Sequence, residues 1–226
     1  MRNLFVAFSL LMFSGSVLGQ LFGPQNDLSM STANARDVHT ADLDGDGDMD
    51  VLSASPGDYK ISWFENLGNG SFSAQNIVSN QMDRPVSVYA SDLDEMYWAI
   101  EGKGAFQVVD GKNQRLEAKD FTMKDSGLKV VCSRSHLNEE TQSFVNQLSN
   151  PELVATGSSL KFIIIAAGNA HVYPRLAPTM EWDTGAAQII LEEAGGAVID
   201  HNTKKPLRYN KENLLNPFFI ASGNES

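Results

Sequence analysis

The spacing of apolar residues along the chain changes character twice. The opening stretch, "MRNLFVAFSLLMFSGSVLGQ", places one positive charge at Arg2, an apolar run from Leu4 to Phe13 and small residues up to Gly19. This is the pattern of a secretory leader over residues 1–19, cut after Gly19, and it predicts a secreted or periplasmic chain. The run is short for a bilayer crossing, so a retained anchor is the weaker alternative and no stable membrane anchor is expected. Residues 20–94 then show period-two patterning: "DVLSAS" alternates into a strand, and "KISWFENLGNGSF" reads as strand, Gly/Asn turn, strand. From Glu95 onward the pattern becomes mixed. "EMYWAIEGKGAFQVVDGKNQRLEA" predicts a hairpin, "LKVVCSRS" a strand, and "NEETQSFVNQLS" a helix capped by Asn138 with Phe144, Val145 and Leu148 on one face. "ELVATG" leads into a helix over "SSLKFIIIAAGNA" that starts at Ser158 or Ser159. "HVYPR" is a short strand, "WDTGAAQIILEEAGG" a helix closed by Gly195 and Gly196, and "AVID" and "FFIAS" complete a sheet. That order predicts an α/β layered fold for residues 95–226, preceded by a small β-rich segment.

Charge sharpens the division. The net charge of −11 is concentrated early: residues 1–94 hold 4 basic and 12 acidic residues, residues 95–226 hold 13 and 16. An acidic balance of this kind excludes a phosphate-backbone binder, so no nucleic acid polymer is expected as partner. Cys132 is the single cysteine, which rules out an internal disulfide, and its setting in "LKVVCS" reads as a small buried hydrophobe.

The acidic excess gathers in "ADLDGDGDMDV", where Asp42, Asp44, Asp46, Asp48 and Asp50 occupy alternate positions. Like charges so close need a counter-charge, and a hard cation with oxygen ligands supplies it. The pattern assigns the side chains of Asp42, Asp44, Asp46 and Asp50 and the carbonyl of Asp48 to Ca2+, with Gly47 at the sharp turn. A solvated acidic turn is the alternative. An EF-hand is excluded, because the bidentate Glu it needs at its twelfth position is Ser53 here and no helices flank the loop. The motif resembles the FG-GAP or VCBS repeat of secreted and adhesion proteins, in which it forms a calcium loop in a propeller blade. An echo supports this, since "VHTADLD" at 38–44 returns as "VYASDLD" at 88–94. A single blade cannot bury its own faces, so residues 20–94 are expected to be a fragment of a larger architecture.

"GSSLKFIIIAAGNAHVYPRLAPTMEWDTGAAQIILEEAGGAVID", with "SRSHLNEET" before it and "PLRYNKENLLNPFFIAS" after it, resembles the C-terminal half of the 3'(2'),5'-bisphosphate nucleotidases. These belong to the magnesium-dependent inositol monophosphatase superfamily. The resemblance implies the C-terminal half of that layered α/β fold and removal of the 3'-phosphate of 3'-phosphoadenosine 5'-phosphate, a small-molecule bisphosphate nucleotide, to give AMP. It implies Asp183 as a Mg2+ ligand that helps hold the attacking water; an ordinary helix N-cap is the weaker alternative and is compatible with that role. Gly157, Ser158, Ser159 and Lys161 would receive a substrate phosphate at a helix start. Ser135, His136 and Arg175 resemble nucleotide-phosphate contacts. Glu192 and Glu193 read as a solvated helix face.

The same resemblance implies a gap. The family's upstream Glu-Glu motif and its "D-P-[LI]-D-G-T" signature have no match here; "DLDG" at 42–45 lacks the proline and misplaces the second carboxylate. One carboxylate cannot hold a two-magnesium site, so the chain by itself is expected to be inactive, and an oligomer or a partner carrying the other half would be needed to complete it. Residues 88–95, "VYASDLDE", satisfy both parent patterns and mark the junction. The family is normally cytoplasmic, which conflicts with the leader. Each segment has also lost the neighbours expected to cover its apolar surface, which predicts aggregation or oligomers.

Overall fold

The computed structural model describes residues 32–80, 84–90, 96–109, 112–132, 138–157 and 160–226. The leader, the centre of the junction, and Ser135, His136, Ser158 and Ser159 lie outside the described residues. No described helix is long and apolar enough to cross a membrane.

The first sheet is an antiparallel meander of β1 (Asp37–Ala41), β2 (Asp50–Ser55), β3 (Lys60–Phe64) and β4 (Asn76–Ser79). The aspartate-rich loop is the β1–β2 connection, opened by the pair Ala41 and Asp50. The strand expected to end "GNGSF" shrinks to a single bridge between Asn66 and Phe72, and the full fourth strand lies further on. The second sheet joins β5 (Pro85–Ala90), β6 (Met96–Ile100), β7 (Gly104–Val109) and β8 (Lys112–Leu116), all antiparallel. The echo strand β5 is therefore bonded to the predicted hairpin and not to the first sheet. A two-strand pairing of β9 (Asp120–Phe121) with the C-terminal residues 224–225 follows.

The third sheet has β10 (Lys129–Cys132) parallel to β11 (Glu152–Ala155) on one side and to β12 (Val172–Arg175) on the other. The sheet is completed by β13 (Ala197–Asp200) and β14 (Phe219–Ser222), with β14 antiparallel to both β12 and β13. Its helices are α1 (Glu139–Val145), α2 (Leu160–Ala166) and α3 (Gly185–Glu193). Asn138 caps α1 as its sequence predicts, its side-chain oxygen accepting from Thr141 N–H at 3.0 Å.

Alternation along the strands builds the layers. Tyr89 and Ala99 face α2 and α3, where they meet Phe162, Ile165, Ile190 and Leu191, and beyond these lie Tyr173, Val198 and Phe219 of the third sheet. Val145 of α1, with Phe144 and Leu148 packed alongside, covers Val130 and Val172 on the far face of that sheet. The opposite face of the second sheet, with Val88, Ala90, Met96, Trp98 and Ile100, packs on Leu43, Leu52, Ala54 and Ile61 of the first segment. This corrects the expectation of two uncovered fragments: a blade that cannot bury its own faces buries one of them on the α/β body. Hydrophobic burial of this kind contributes roughly 25 cal/mol per Å² of apolar surface.

The free edge of β5 is closed by side chains. Val88 N–H donates to Asp37 Oδ2 at 2.9 Å, and His39 Nε2 donates to the Ala90 carbonyl at 2.8 Å. Residues two apart on one strand point the same way, so Asp37 and His39 match an N–H and a C=O that are also two apart. An acceptor and a donor side chain thereby replace the backbone of a further strand. Ser87 Oγ lies 2.9 Å from Asp37 Oδ2 and 3.0 Å from the Ala186 carbonyl of α3, which ties β1, β5 and α3 together.

Candidate functional site

A cavity of about 460 Å3 opens where β1, β5, α2, β12 and α3 converge; Lys161, Arg175, Trp182 and Asp183 line it together with His39, Tyr89 and Tyr173. A larger cleft, about 820 Å3, lies under α1 among Met123, Phe144, Ile199 and Ile220 and contains none of the predicted site residues. The smaller cavity holds the chemistry, because three of the predicted groups meet there.

Lys161 belongs to the first turn of α2 and is buried, its ammonium 5.5 Å from the centre of the Tyr173 ring. Burial pushes the Tyr173 hydroxyl above its ordinary pKa, and the neighbouring Arg175 partly opposes this. Arg175 ends β12; its Nη2 donates to the Pro178 carbonyl at 2.8 Å, while its buried Nε meets no hydrogen-bond partner among the described residues. A buried guanidinium N–H without a partner fits an anion entering the cavity. Gly157 is described but does not line the cavity.

Asp183 closes a short 3-10 turn (Glu181–Asp183) ahead of α3, and its Oδ2 accepts from Met180 N–H at 2.9 Å. It is therefore not the N-cap of α3: that position is Thr184, which makes no side-chain cap bond. Thr184 Oγ1 instead sits in a polar support with Tyr209 Oη at 2.9 Å and Asn216 Nδ2 at 3.1 Å. Below the turn, buried Glu181 accepts from Asn210 N–H at 2.6 Å and pairs with Lys211. The Lys211 contact, followed by the main-chain bonds, holds the Glu181 carboxyl below its ordinary pKa. Nothing in the spacing of the chain pointed to this Glu181–Lys211 anchor. Trp182 stands beside Asp183, 69% exposed at the mouth of the cavity.

Among the described residues, Asp183 is the single carboxylate lining the cavity. The Mg2+ pair implied by the resemblance needs several carboxylate oxygens, so the donor set of the described residues does not fit a two-metal site. Among the described residues, one group of three acids close enough to share an ion exists, and it is Asp42, Asp44 and Asp46, whose oxygens lie within 4.8 Å of one another. Gly47 holds φ +97°, as the turn there requires. Asp50 departs from its expected role. It is fully buried, and its two oxygens accept from Leu43 N–H at 3.1 Å and Asn66 N–H at 2.7 Å, so it staples the loop to β3's exit. Asp48 is not in the triple; its own N–H donates to Asp46 Oδ1 at 2.9 Å.

Glu193 also departs from its reading as a solvated face, since its carboxylate accepts from Gly102 N–H at 2.8 Å and Gly104 N–H at 3.0 Å in the β6–β7 turn. His39 and Tyr89 were missed as cavity residues. The one available signal was polar residues at alternate positions in "DVHTA", immediately before the acidic loop.

Comparison with known proteins finds two family models along the chain. The inositol monophosphatase family model matches residues 81–223, and the FG-GAP-like repeat model matches residues 42–95. The 3'(2'),5'-bisphosphate nucleotidase CysQ of Salmonella typhimurium is 38% identical over 153 residues, covering 67% of this chain and 60% of that protein. CysQ of Escherichia coli K12 is 38% identical over 157 residues, covering 68% and 61%. The crystal structure of CysQ from Bacteroides thetaiotaomicron aligns with a TM-score of 0.54 at 30% identity, over 84% of this chain and 70% of that one. The chain thus spans about three fifths of the length of the curated relatives it matches. With its layered body, its "W-D-x-x-A" turn and its cationic cavity in place, the chain belongs to the inositol monophosphatase family and carries an FG-GAP-like repeat ahead of that fold.

Proposed function

We propose that the cavity binds a bisphosphate nucleotide of the 3'-phosphoadenosine 5'-phosphate kind, and that the chain alone does not hydrolyse it. The observation that carries this reading is the charge of the lining: among the described residues, the two cations Lys161 and Arg175 face a single carboxylate, Asp183. Such a set attracts phosphate. Lys161 offers a point charge and Arg175 a fork with an unpartnered N–H, while the tyrosine and tryptophan rings supply flat apolar surface for the rest of the nucleotide. Hydrolysis asks for more. The attacking water must be deprotonated and the leaving oxygen neutralised, and Asp183 alone cannot bring two Mg2+ ions to those places. The nucleotidase relatives support the ligand class, and residues 1–19 support export of the chain.

Calorimetric titration of the full chain with the nucleotide, in Mg2+, tests the binding. Arg175→Ala is expected to weaken it about tenfold or more, the effect of losing a charge-assisted contact. A wild-type chain that does not bind the nucleotide overturns the reading. Phosphate release that is abolished by Asp183→Asn would overturn the claim of inactivity.

A second reading concerns the repeat. The convergence of Asp42, Asp44 and Asp46 supports Ca2+ binding in the β1–β2 loop. Calcium is expected to raise the thermal midpoint, and no rise in the wild type would remove this reading.

A further inference from the structure

The wall of the cavity contributed by the FG-GAP-like segment carries chemistry of its own. His39 of β1 lines the cavity opposite residues that come from the phosphatase fold. Two contacts fix its ring and a third fixes its strand. The Ala90 carbonyl, which can only accept, takes the Nε2–H at 2.8 Å; the ring lies tilted at 47° against Tyr89 with centroids 4.6 Å apart; and Asp37, two residues earlier, pins the same strand to Val88 N–H at 2.9 Å. The tautomer follows from the first contact. With the proton on Nε2, the other nitrogen, Nδ1, is a lone-pair acceptor, and it has no hydrogen-bond partner among the described residues.

We propose that His39 is a specificity-determining residue of this cavity, whose Nδ1 accepts a hydrogen bond from a hydroxyl or amino group on the nucleoside part of the ligand. The inference rests on the nucleotide reading given above and extends it. Phosphate oxygens are acceptors, so a neutral Nδ1 has nothing to offer them, and they fall to Lys161 and Arg175. A ribose hydroxyl or an exocyclic amine has the hydrogen that Nδ1 lacks. Burial, which keeps His39 below its ordinary pKa, is consistent with the neutral ring at neutral pH. The repeat segment thereby acts as the part of the binding wall that distinguishes a nucleoside phosphate from phosphate itself.

Two ligands and two variants test this on the full chain by titration calorimetry: the bisphosphate nucleotide, which carries a ribose hydroxyl and an exocyclic amine, and inorganic pyrophosphate, which carries neither. His39→Ala is expected to weaken nucleotide binding about five- to tenfold, the loss of one hydrogen bond, and to change pyrophosphate binding less than about twofold. His39→Gln, whose amide can both donate to Ala90 and accept from the ligand, is expected to recover most of the loss. The 2'-deoxy nucleotide separates the two donors: if it binds the wild type as weakly as the parent binds His39→Ala, the ribose hydroxyl is the partner, and if it binds unchanged, the amine is. Should His39→Ala not fold, 15N resonances of the wild-type imidazole provide the readout, with Nδ1 shifting on addition of nucleotide and not of pyrophosphate. Equal losses for both ligands would show that His39 only holds the strand, and an unchanged nucleotide affinity in His39→Ala would likewise sink the inference while leaving the nucleotide reading intact. A wild type that binds pyrophosphate and not the nucleotide overturns both.

Discussion

The loop after β1 and the cavity beside β1 treat charge in opposite ways. In the loop, Asp42, Asp44 and Asp46 point their oxygens at one exposed place, and short turns to Gly45, Gly47 and Asp48 hold them there despite mutual repulsion. In the cavity, Lys161 and Arg175 are set against one carboxylate of the described residues, Asp183. The first arrangement suits a cation and the second an anion, although only two residues, Thr40 and Ala41, separate Asp42 from His39. The type of ion each place can take is decided by how many fixed charges of each sign converge, and the family to which each stretch belongs enters only through that count. β1 serves both, because alternation sends His39 inward to the cavity while its end feeds the acidic turn.

The severest way to break this comparison is to separate the two regions. Trp98 is buried in the core they share and stacks on Phe106 at 4.4 Å between ring centres. Trp98→Ala is expected to destabilise the protein by about 3–5 kcal/mol and to replace one cooperative urea transition by two. A curve that keeps its midpoint would show that the regions do not rely on a common core. Next in size is the calcium effect. Saturation at about a hundred times the dissociation constant would stabilise the fold by about 2.7 kcal/mol, and Asp44→Asn with Asp46→Asn should abolish that gain while leaving nucleotide affinity in place. Asp50→Asn should behave differently, lowering stability even without calcium, because its carboxylate is buried against two main-chain donors. Asp37→Ala comes third, at about 2 kcal/mol, since it strands the Val88 N–H at the β5 edge and leaves the Ser87 hydroxyl only the Ala186 carbonyl. Its nucleotide affinity should fall as well, whereas calcium binding should not.

Local patterns made much of the C-terminal body legible in the sequence. Asn138 before an amphipathic run, glycines in the β6–β7 turn and the apolar run of "SSLKFIIIAAGNA" each act through near neighbours, and the corresponding elements formed, although α1 ends at Val145 and α2 at Ala166, short of the ends expected from the sequence. The cavity was legible in part, because Lys161, Arg175 and Asp183 stand in a recognisable order even though they are distant in sequence. Two things were not. "DVHTA" invites the reading that Val38 faces inward, yet Val38 is 61% exposed and the polar Asp37 and His39 turn toward the body. That inversion depends on an N–H and a C=O left open on a strand some fifty residues away, which no local propensity encodes. Asp50 looked like a further ligand because spacing alone cannot distinguish an oxygen aimed at an ion from one aimed at the Asn66 N–H.

The smallest expected effect isolates the scaffold behind the cavity from the acidic loop. Tyr209 donates to Gln188 Oε1 at 2.6 Å and meets Thr184 Oγ1 at 2.9 Å, and burial pushes its pKa up to about 12. The fold therefore prefers the neutral phenol. Its contribution is complete below the unfolded value of about 10 and is lost as pH rises from there through the folded value. Part of the ring is open to solvent, which screens the effect, so about 1 kcal/mol is expected to disappear over that window. Urea midpoints measured from about pH 8 upward, alongside tyrosinate absorbance, check it. Tyr209→Phe should flatten the alkaline slope and start from a slightly lower stability, because Gln188 and Thr184 lose a partner. Calcium affinity should be the same in both proteins. An alkaline slope that survives in Tyr209→Phe would assign the loss to another group and leave the Thr184 support without its proposed anchor.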